Sequence, residues 1–355
     1  MKNSGFRLSL LFVAALAVLF VMPLSAMGNK EEASTDPNAM EKNLVLYSSM
    51  TENDLSNLIR LFSKRYPEVK IEVVNGSAGE LTTRIRAERN NPQGDLMWGG
   101  LSTSDGMVHS DIFAHWLTQY EPEIMPDYRS PNGFYSIDHL STAVFCVNVE
   151  LEKELGLKIK GYKDLLDPRL KGKIVMPDPN SASSGWNNVS NMMAVYGHGS
   201  PAAWDYIEKF LNNGVVFYAA SSTAFKSVET GEYVVGLTYE DGASTLLKAG
   251  SKKIRMVYPE DGASASAFGC ALIQGAPHPN AAKAMINYLM SAEGQSELGT
   301  ALETLRFTNS KAVYETLYLP ASSTIKWVRR DNNWLVENKK AVLEKWNGIL
   351  AKVKK

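Results

Sequence analysis

Cysteine, histidine and net charge are all scarce in this sequence. Its 355 residues include two cysteines and five histidines, which do not show the short spacing typical of zinc sites or catalytic thiol sites. The 37 basic and 38 acidic residues leave a formal net charge of -1, so a polyanionic partner such as nucleic acid is not indicated. Repeats and low-complexity tracts are also lacking, which disfavours a structural or adhesion module.

Long apolar runs are lacking after the N-terminus. The run Leu8–Met22 follows Lys2 and Arg7 and is shorter than the roughly 20 residues that a membrane-spanning helix needs. A basic start, a short apolar run and small residues after it are typical of a signal peptide, which we assign to residues 1–28. No cysteine stands directly after the run, so a lipid anchor is not indicated. The polar residues 29–42 predict a flexible leader. We therefore expect an exported protein.

The two cysteines of an exported protein raise the question of a disulfide. Cys146 and Cys270 form an even pair, and an oxidising compartment permits a bridge between them. Both also lie in apolar, strand-like runs, residues 143–147 and 268–272, where free cysteines pack as small apolar side chains. The sequence leaves both alternatives open, because pairing depends on geometry.

The remaining chain alternates short apolar strands with amphipathic helical patterns. Strands are predicted at Asn43–Tyr47, Val69–Val74 and Asp95–Trp98, with helical patterns between them. This alternation predicts parallel βαβ units and an α/β fold. Ligands of such folds collect beyond the carboxyl ends of the strands. The polar residues expected at those ends are Ser48, Ser49, Ser77, Ser102 and Thr103.

The stretch Gly161–Asn188 joins a predicted strand to a predicted helix through a serine-rich corner. The strand ends at a proline, and Ser183 and Ser184 open the helical pattern. Unpaired N–H groups and hydroxyl donors at such a point suit an anion or a polar solute. An ordinary N-capped helix start has the same pattern. A second corner of this kind contains Ser221 and Ser222.

Two long strands, predicted at Ser136–Val149 and Ser264–Ile273, bracket a second α/β region. If both strands cross between the two regions, the chain forms two lobes that close about a hinge. We expect residues 43–145 to form the first lobe and residues 146–269 the second. Residues 270–355 would then return to the first lobe and add C-terminal helices.

Several blocks of the sequence occur in the order typical of one family. They read LVLYSSMTEND, GSAGELTTRIRAERNNPQGDLMWGG, YKDLLDPRLKGKIVMPDPNSASSG, GEYVVGLTYEDGAS and APHPNAAKAMINYLMSAEGQ. Over residues 43–309 the chain resembles the periplasmic solute-binding proteins of ABC importers, in the group that binds ferric iron, hexose phosphates or 2-aminoethylphosphonate. The resemblance implies a type II fold with two mixed sheets, flanked by helices and joined by two hinge strands. It also implies a periplasmic, monomeric protein without a cofactor, which passes a small solute to a membrane permease.

Ferric members of this group hold the metal with adjacent tyrosines, whose phenolate oxygens suit hard Fe(III). The matching place here has Tyr239 followed by Glu240, and the sequence contains no tyrosine pair. The first loop, Ser49–Thr51, lacks histidine, and Gly99–Gly100 stands where some ferric members have a carboxylate. These departures favour a small phosphorylated or phosphonate solute, with a hexose phosphate preferred. Iron held by Tyr239 and Glu240 is the alternative.

Four further side chains complete the predicted site. Glu240 and Asp241 supply acceptors for sugar hydroxyls or for an ammonium group. Trp186 either stacks on an apolar ring face or packs in the core. Arg306 either reaches the anion from the returning lobe or lies in solvent.

A secreted hydrolase is the alternative from a different class. The sequence contains no G-x-S-x-G elbow, and none of its five histidines stands in a recognisable triad context. We therefore expect a binding protein and assign no catalytic residues.

Overall fold

The computed structural model describes residues 39–102 and 109–353. The predicted signal peptide, most of the predicted leader and Thr103 lie outside the described residues. Within those ranges, no helix is both long enough and apolar enough to cross a bilayer. The strands are β1 Asn43–Ser48, β2 Lys70–Asn75, β3 Leu96–Ser102, β4 Ser136–Asn148, β5 Ile174–Pro177, β6 Val216–Tyr218, β7 Val235–Tyr239, β8 Ile254–Val257, β9 Ala265–Leu272 and β10 Arg306–Phe307. The helices are α1 Glu52–Arg65, α2 Ala78–Ala87, α3 Val149–Glu154, α4 Ser183–Tyr196, α5 Pro201–Asn212, α6 Ser221–Glu229, α7 Glu240–Lys248, α8 Pro279–Met290, α9 Ala292–Leu302 and α10 Asn332–Val353.

The first βα unit, β1 and α1, shows why strands and helices alternate along this chain. Leu44 and Leu46 of β1 are fully buried, and Leu58 of α1 packs in the same apolar cluster. The helix begins after Thr51, whose side chain accepts from the backbone N–H of Asp54 while the Asp54 carboxylate accepts from the backbone N–H of Thr51. This capping box satisfies N–H groups that a helix start otherwise leaves unpaired.

The sheet has two halves that meet on β4. In the first half β1, β2 and β3 run parallel in the order β2–β1–β3, and β9 pairs antiparallel with β3. In the second half β5 pairs in parallel with β6 and β7. The strand β4 belongs to both, because residues 136–142 pair with β9 and residues 143–147 pair with β7. The predicted α/β class, with mixed strands flanked by helices, is confirmed.

Each half has its own apolar core, and the C-terminal helix belongs to the core of the second half. Val342 and the fully buried Trp346 of α10 lie in one cluster with Ile207 and Phe210 of α5. The chain therefore crosses between the halves once more, between β10, which pairs with the first part of β4, and α10. This crossing was not expected from the sequence, because an amphipathic helix carries no signal for which core it covers.

Cys146 and Cys270 are both free and buried, so the disulfide is not formed. Cys270 of β9 pairs with Ser136 at one end of β4, whereas Cys146 lies ten positions further along β4. Ten residues of extended strand span about 33 Å, far beyond the Cα separation of about 6 Å that a disulfide allows.

The free thiols give a direct prediction for the mature protein. Unreduced protein that is denatured in the presence of a thiol-alkylating reagent should take up two labels, and a reductant should leave its Tm unchanged. The control is the same protein reduced before labelling, and intact-mass spectrometry reads out both. A bridge would appear as no label without reductant and two labels with it.

Candidate functional site

Three helices of the second half begin directly after neighbouring parallel strands. The helix α4 follows β5, α6 follows β6, and α7 follows β7, and these three strands are adjacent in the sheet. Their N-cap residues are Ala182, Ala220 and Tyr239, and no side-chain capping hydrogen bond forms at any of the three within the described part of the chain. First-turn N–H groups of three helices are therefore left without side-chain caps at one edge of the sheet.

These three helix starts lie close together. Ser184 Oγ donates to Ser221 Oγ at 2.6 Å, which joins α4 to α6. The rings of Phe225 in α6 and Tyr239 at the start of α7 are 5.7 Å apart between centroids. The predicted site residues that this edge brings together are Ser183, Ser184, Ser221, Ser222 and Tyr239.

The serine-rich corner before α4 depends on a glycine. A Cβ atom at Gly185 would lie 2.4 Å from the carbonyl oxygen of Pro177, so no larger residue fits where the helix folds back on the end of β5. One turn into the helix, Asn188 Nδ2 donates to the backbone oxygens of Ser184 and Thr238, at 2.8 and 3.2 Å. These contacts hold the start of α4 against the ends of β5 and β7.

The two helices that follow β1 and β2 in the first half, α1 and α2, are capped by their own carboxylates. Besides the Thr51–Asp54 box of α1, Ser77 Oγ accepts from the backbone N–H of Glu80, and the Glu80 carboxylate accepts from Ser77 N and Oγ. Side-chain capping groups already satisfy first-turn N–H groups at both helix starts. The structure therefore gives Ser77 the role of a cap rather than of a solute donor.

Ser48 and Ser49 have different surroundings at the end of β1. Ser48 is fully buried, and its Oγ donates to Trp98 O at 2.9 Å and accepts from Met50 N at 3.1 Å. Ser49 is half-buried and borders Gly100, where a Cβ atom would lie 2.7 Å from Ser49 Oγ. Of the two, only Ser49 keeps its hydroxyl at the surface of this edge. Ser102, at the end of β3, is also half-buried.

Glu240 and Arg306 form a buried ion pair where the two halves meet. Arg306 Nε donates to both carboxylate oxygens of Glu240, at 2.8 and 3.0 Å, and the side chains are 8% and 1% exposed. Tyr258 Oη and Thr142 Oγ1 donate to the same carboxylate at 2.5 and 3.0 Å. The alternative in which Arg306 lies in solvent is wrong, because its side chain is buried and bound to Glu240. A contact of Arg306 with the anion stays a prediction. Glu240 is an internal acceptor and not one that is open to a solute.

Asp241, the next residue of α7, has a different environment. It is half-buried, and Ser141 Oγ of β4 donates to its Oδ1 at 2.5 Å. Burial of the carboxylate raises the pKa of Asp241 to about 6, although Ser141 and the nearby His139 favour its charged form. A carboxylate with one neutral donor retains capacity to accept further hydrogen bonds. Asp241 is thus the remaining acceptor of the predicted pair.

His139 connects charged groups from both halves. Its Nδ1 lies 2.9 Å from Asp138 Oδ2, which also accepts from Trp98 Nε1 at 2.9 Å. Burial opposes a charge on His139, but the carboxylates of Asp138, Asp241 and Asp54 outweigh burial and raise the pKa of His139. Asp54 comes from α1 of the first half and Asp241 from α7 of the second. The sequence did not predict that Asp54 and His139 belong to this charged cluster. The pattern around Asp54 indicates only a helix start, and His139 has no distinguishing sequence context.

Trp186 lies away from the converging helix starts. Lys339 of α10 places its Nζ 5.4 Å from the Trp186 ring centroid, and the ring packs against the core of the second half. Trp186 is two positions from Ser184, so the two side chains point to nearly opposite faces of α4. The structure therefore supports the core alternative for this residue.

Tyr239 does not have the surroundings that the iron alternative requires. Burial, together with the carboxylates of Asp241 and Asp54, raises the pKa of Tyr239, which disfavours the phenolate that binds Fe(III). Its predicted partner Glu240 is held by Arg306. Among the described residues, no group of three or more His, Cys, Asp or Glu side chains is arranged to hold a metal ion.

Comparisons with known proteins agree with this architecture. The putative 2-aminoethylphosphonate-binding periplasmic protein of Salmonella typhi is 23% identical over 291 residues, 79% of this chain and 83% of its own length. Iron uptake protein A1 of a Synechocystis strain is 25% identical over 295 residues, 78% of this chain and 79% of its own. The periplasmic binding protein AfuA of Actinobacillus pleuropneumoniae, solved with fructose-6-phosphate bound, matches with a TM-score of 0.74 at 24% identity. That match covers 88% of this chain and 99% of AfuA.

These likenesses confirm the predicted fold, that of the type II periplasmic binding proteins. Residues 44–299, which include both halves of the sheet, match the family model of the bacterial extracellular solute-binding proteins. The chain belongs to the family of bacterial extracellular solute-binding proteins.

Proposed function

We propose that this protein is the periplasmic substrate-binding component of an ABC importer, and that it captures a small phosphorylated or phosphonate solute, a hexose phosphate in preference. The observation that carries the proposal is the convergence of α4, α6 and α7, whose starts lack side-chain caps. Backbone N–H groups and helix dipoles directed at one point favour an anion. The capped starts of α1 and α2 do not offer the same donors.

The hydrogen-bond acceptors where the two halves of the sheet meet suit the end of the solute that carries hydroxyl or ammonium groups. Asp241 and Asp54 belong to different halves and both interact electrostatically with His139, and burial raises the pKa of both carboxylates. Sugar hydroxyls or an ammonium group would donate to these carboxylates and reduce the cost of burying them. Ser49 and Ser102 of the first half would supply further polar contacts. A solute with an anionic end and a donor-rich end matches this arrangement.

We further propose that the solute is enclosed by hinge closure. The strand β4 pairs with the first half through residues 136–142 and with the second half through residues 143–147, so bending within it would move one half relative to the other. The start of β9 lies beside this point, since Ala143 N donates to Ser264 O. Closure of residues 43–145 and the returning chain through β10 against residues 146–269 and α10, which packs with the second half, would then bury the solute by a shift in population.

Relatives support this solute class, although their own ligands differ. One is named for 2-aminoethylphosphonate and one for iron, and AfuA was solved with fructose-6-phosphate. We propose that this protein acts as a periplasmic monomer that delivers its solute to a membrane permease, without a cofactor, a catalytic step or a nucleic acid partner.

A thermal-shift panel on metal-stripped mature protein tests the proposal. It compares glucose 6-phosphate, fructose 6-phosphate, 2-aminoethylphosphonate, inorganic phosphate, and Fe(III) with carbonate or citrate. A ligand present at a hundredfold excess over its Kd stabilises the native state by about 2.7 kcal/mol. That corresponds to a rise in Tm of about 4 °C for a chain of this size, at roughly 1.5 °C per kcal/mol. We expect this rise with a phosphorylated sugar or with the phosphonate.

A variant with a carboxylate at the start of α4 tests whether the anion binds there. Ser183 is the exposed first residue of that helix, so Ser183→Asp should maintain or raise the Tm of the free protein through the helix dipole. The same charge should repel an anionic solute and weaken its binding tenfold or more. Ala202→Asp in the first turn of α5, near the far end of α4, is the control and should leave binding unchanged. Equal binding by both variants would contradict the assignment of the anion to α4.

A rise in Tm with Fe(III) alone would identify iron as the solute in place of a phosphorylated or phosphonate compound. It should then be accompanied by a visible tyrosinate charge-transfer band that disappears in Tyr239→Phe. That result would contradict a phosphorylated solute, but it would leave the fold and the solute-binding role unaffected.

A further inference from the structure

Arg330 lies at the end of the segment that carries the chain from β10 to α10. The segment leaves the first half at Pro320, whose carbonyl oxygen accepts from the arginine of β10. It then runs beside Ala263, which donates to Lys326 O and accepts from Val328 N, each at 2.9 Å. Arg330 follows two residues later, immediately before the turn into the C-terminal helix. The segment thus holds a fixed cation between the two halves.

All hydrogen bonds of the Arg330 guanidinium go to uncharged oxygens. Its Nε donates to Ser264 Oγ at 2.6 Å, and its Nη1 donates to Ser266 Oγ at 2.6 Å and to Asn187 Oδ1 at 3.3 Å. Its Nη2 donates to Asn187 O at 3.2 Å. In the described ranges, no carboxylate lies within ion-pair distance of it. The arginine of β10, by contrast, has Glu240 as a counter-ion.

An unpaired cation in this position is energetically unfavourable for the free protein. Burial lowers the pKa of Arg330 to about 10. The groups that raise the pKa of Arg330 are Tyr162 and Tyr128, and burial raises the pKa of both, so neither supplies a negative charge. Withdrawing a cation from water costs several kcal/mol, and neutral acceptors offset only part of that cost. An anion that arrives from outside would offset the rest.

Hydrogen bonds join the Arg330 guanidinium to α4 one turn after the start of that helix. Asn187, which holds the guanidinium, follows Ser183 by four residues and so lies about 6 Å along α4 from its start. Tyr128, which packs against the core of the first half, interacts electrostatically with the same guanidinium. The two observations, an uncapped helix start and an unpaired guanidinium beside it, are independent of each other.

We propose that Arg330 is an anion-binding residue of the solute site, and that its guanidinium neutralises the phosphate or phosphonate held at the start of α4. This inference rests on the proposed function and adds a charged group to a site that is otherwise built from neutral donors. Four of the five N–H groups of the guanidinium donate to Ser264, Ser266 and Asn187, so one N–H of Nη2 remains for a phosphate oxygen. The positive charge selects phosphorylated solutes over neutral sugars. Glucose and fructose without phosphate should therefore bind poorly.

The test compares Arg330→Gln and Arg330→Lys with Arg329→Gln, a matched control because Arg329 is the exposed neighbour on the same segment. Binding of glucose 6-phosphate, fructose 6-phosphate and 2-aminoethylphosphonate is measured by calorimetry. Arg330→Gln should weaken the best solute about 10- to 100-fold, as expected for a lost charge-assisted hydrogen bond. Arg330→Lys should recover part of the affinity, and Arg329→Gln should remain within twofold of the parent.

A second arm does not depend on the identity of the solute. Sulfate or inorganic phosphate should raise the Tm of the parent above that in chloride at equal ionic strength, and Arg330→Gln should remove that difference. Without anion, Arg330→Gln should keep or raise the Tm, whereas a purely structural anchor would lower it.

The outcomes separate the two proposals. If the parent binds a phosphorylated solute and Arg330→Gln binds it equally well, the role of Arg330 is overturned and the proposed function stands. If the parent binds none of the solutes but the sulfate arm still distinguishes Arg330→Gln, the proposed function fails and the anion site stands. If neither arm responds and the free variant is destabilised, both proposals are overturned.

Discussion

Replacing Glu240 with glutamine is expected to lower the free energy of unfolding by about 3–5 kcal/mol, the usual cost of removing one partner from a buried ion pair. Glutamine keeps the shape of the side chain, and its amide oxygen can still accept from Tyr258 while its NH2 group donates to Thr142 Oγ1. The loss therefore reports the charge of Arg306, which would be left in the interior without a counter-ion. Urea unfolding of the free protein, followed by circular dichroism, measures it.

Two variants control this measurement. Asp205→Asn breaks the exposed Lys209–Asp205 pair, whose side chains are 60% and 64% exposed, and should cost less than about 1 kcal/mol. The double variant Glu240→Gln/Arg306→Met removes both charges and should recover part of the loss. A Glu240→Gln variant as stable as Asp205→Asn would show that the pair is not buried in solution.

The second prediction concerns Asp241. Asp241→Asn is expected to raise the free energy of unfolding above pH 6 by up to about 3 kcal/mol, which is the equivalent of a pKa change of about two units. Asparagine can still accept from Ser141 Oγ, and it has no charge to bury. The same change should weaken solute binding, because the carboxylate is the proposed acceptor. Greater stability combined with weaker binding would mark a functional residue.

The sign of the pH dependence follows from linkage. Burial raises the pKa of Asp241 from 3.8 to about 6, so between these values the native state holds a proton that the unfolded chain has released. The stabilisation is complete below about pH 4 and is lost as the pH rises through 6. The raised pKa of His139 acts in the same direction at higher pH, while Glu240 and Asp54 are the other carboxylates near this cluster.

Urea unfolding at several pH values between 4 and 8 tests this prediction. The parent should lose stability across that range, and Asp241→Asn should show a flatter profile. Asp205→Asn, an exposed carboxylate in the second half, should reproduce the profile of the parent. An unchanged slope in Asp241→Asn would assign the pH dependence to His139 instead.

Elements whose signals are local were predicted well from the sequence. The strand expected at Ser136–Val149 is β4, Ser136–Asn148, and the helix expected near Trp186 begins three residues earlier at Ser183. Periodicity and turn residues are enough for such assignments, since neighbouring residues determine them. The α/β class followed from the same patterns, whereas the family resemblance came from several sequence blocks that occur in a typical order.

Two serines show where local reasoning stops. Ser77 and Ser184 both stand at helix starts after strands, and both were expected to bind the solute. Ser77 closes a capping box with Glu80, three residues away, whereas Ser184 bonds to Ser221, 37 residues away. Only the second arrangement leaves its helix start without a side-chain cap. A local pattern cannot distinguish them, because the partner of Ser184 comes from another strand–helix unit.

The sequence by itself determined the α/β fold and the family of extracellular solute-binding proteins, since both depend on patterns along the chain. Only the tertiary structure decided which polar groups are already satisfied. Glu240 meets Arg306 across 66 residues, and Asp241 meets Ser141 across 100. The same long-range geometry separates Cys146 from Cys270 and leaves Arg330 without a counter-ion. The physical reason is that burial and hydrogen-bond satisfaction depend on neighbours in space, and these neighbours lie far apart in sequence.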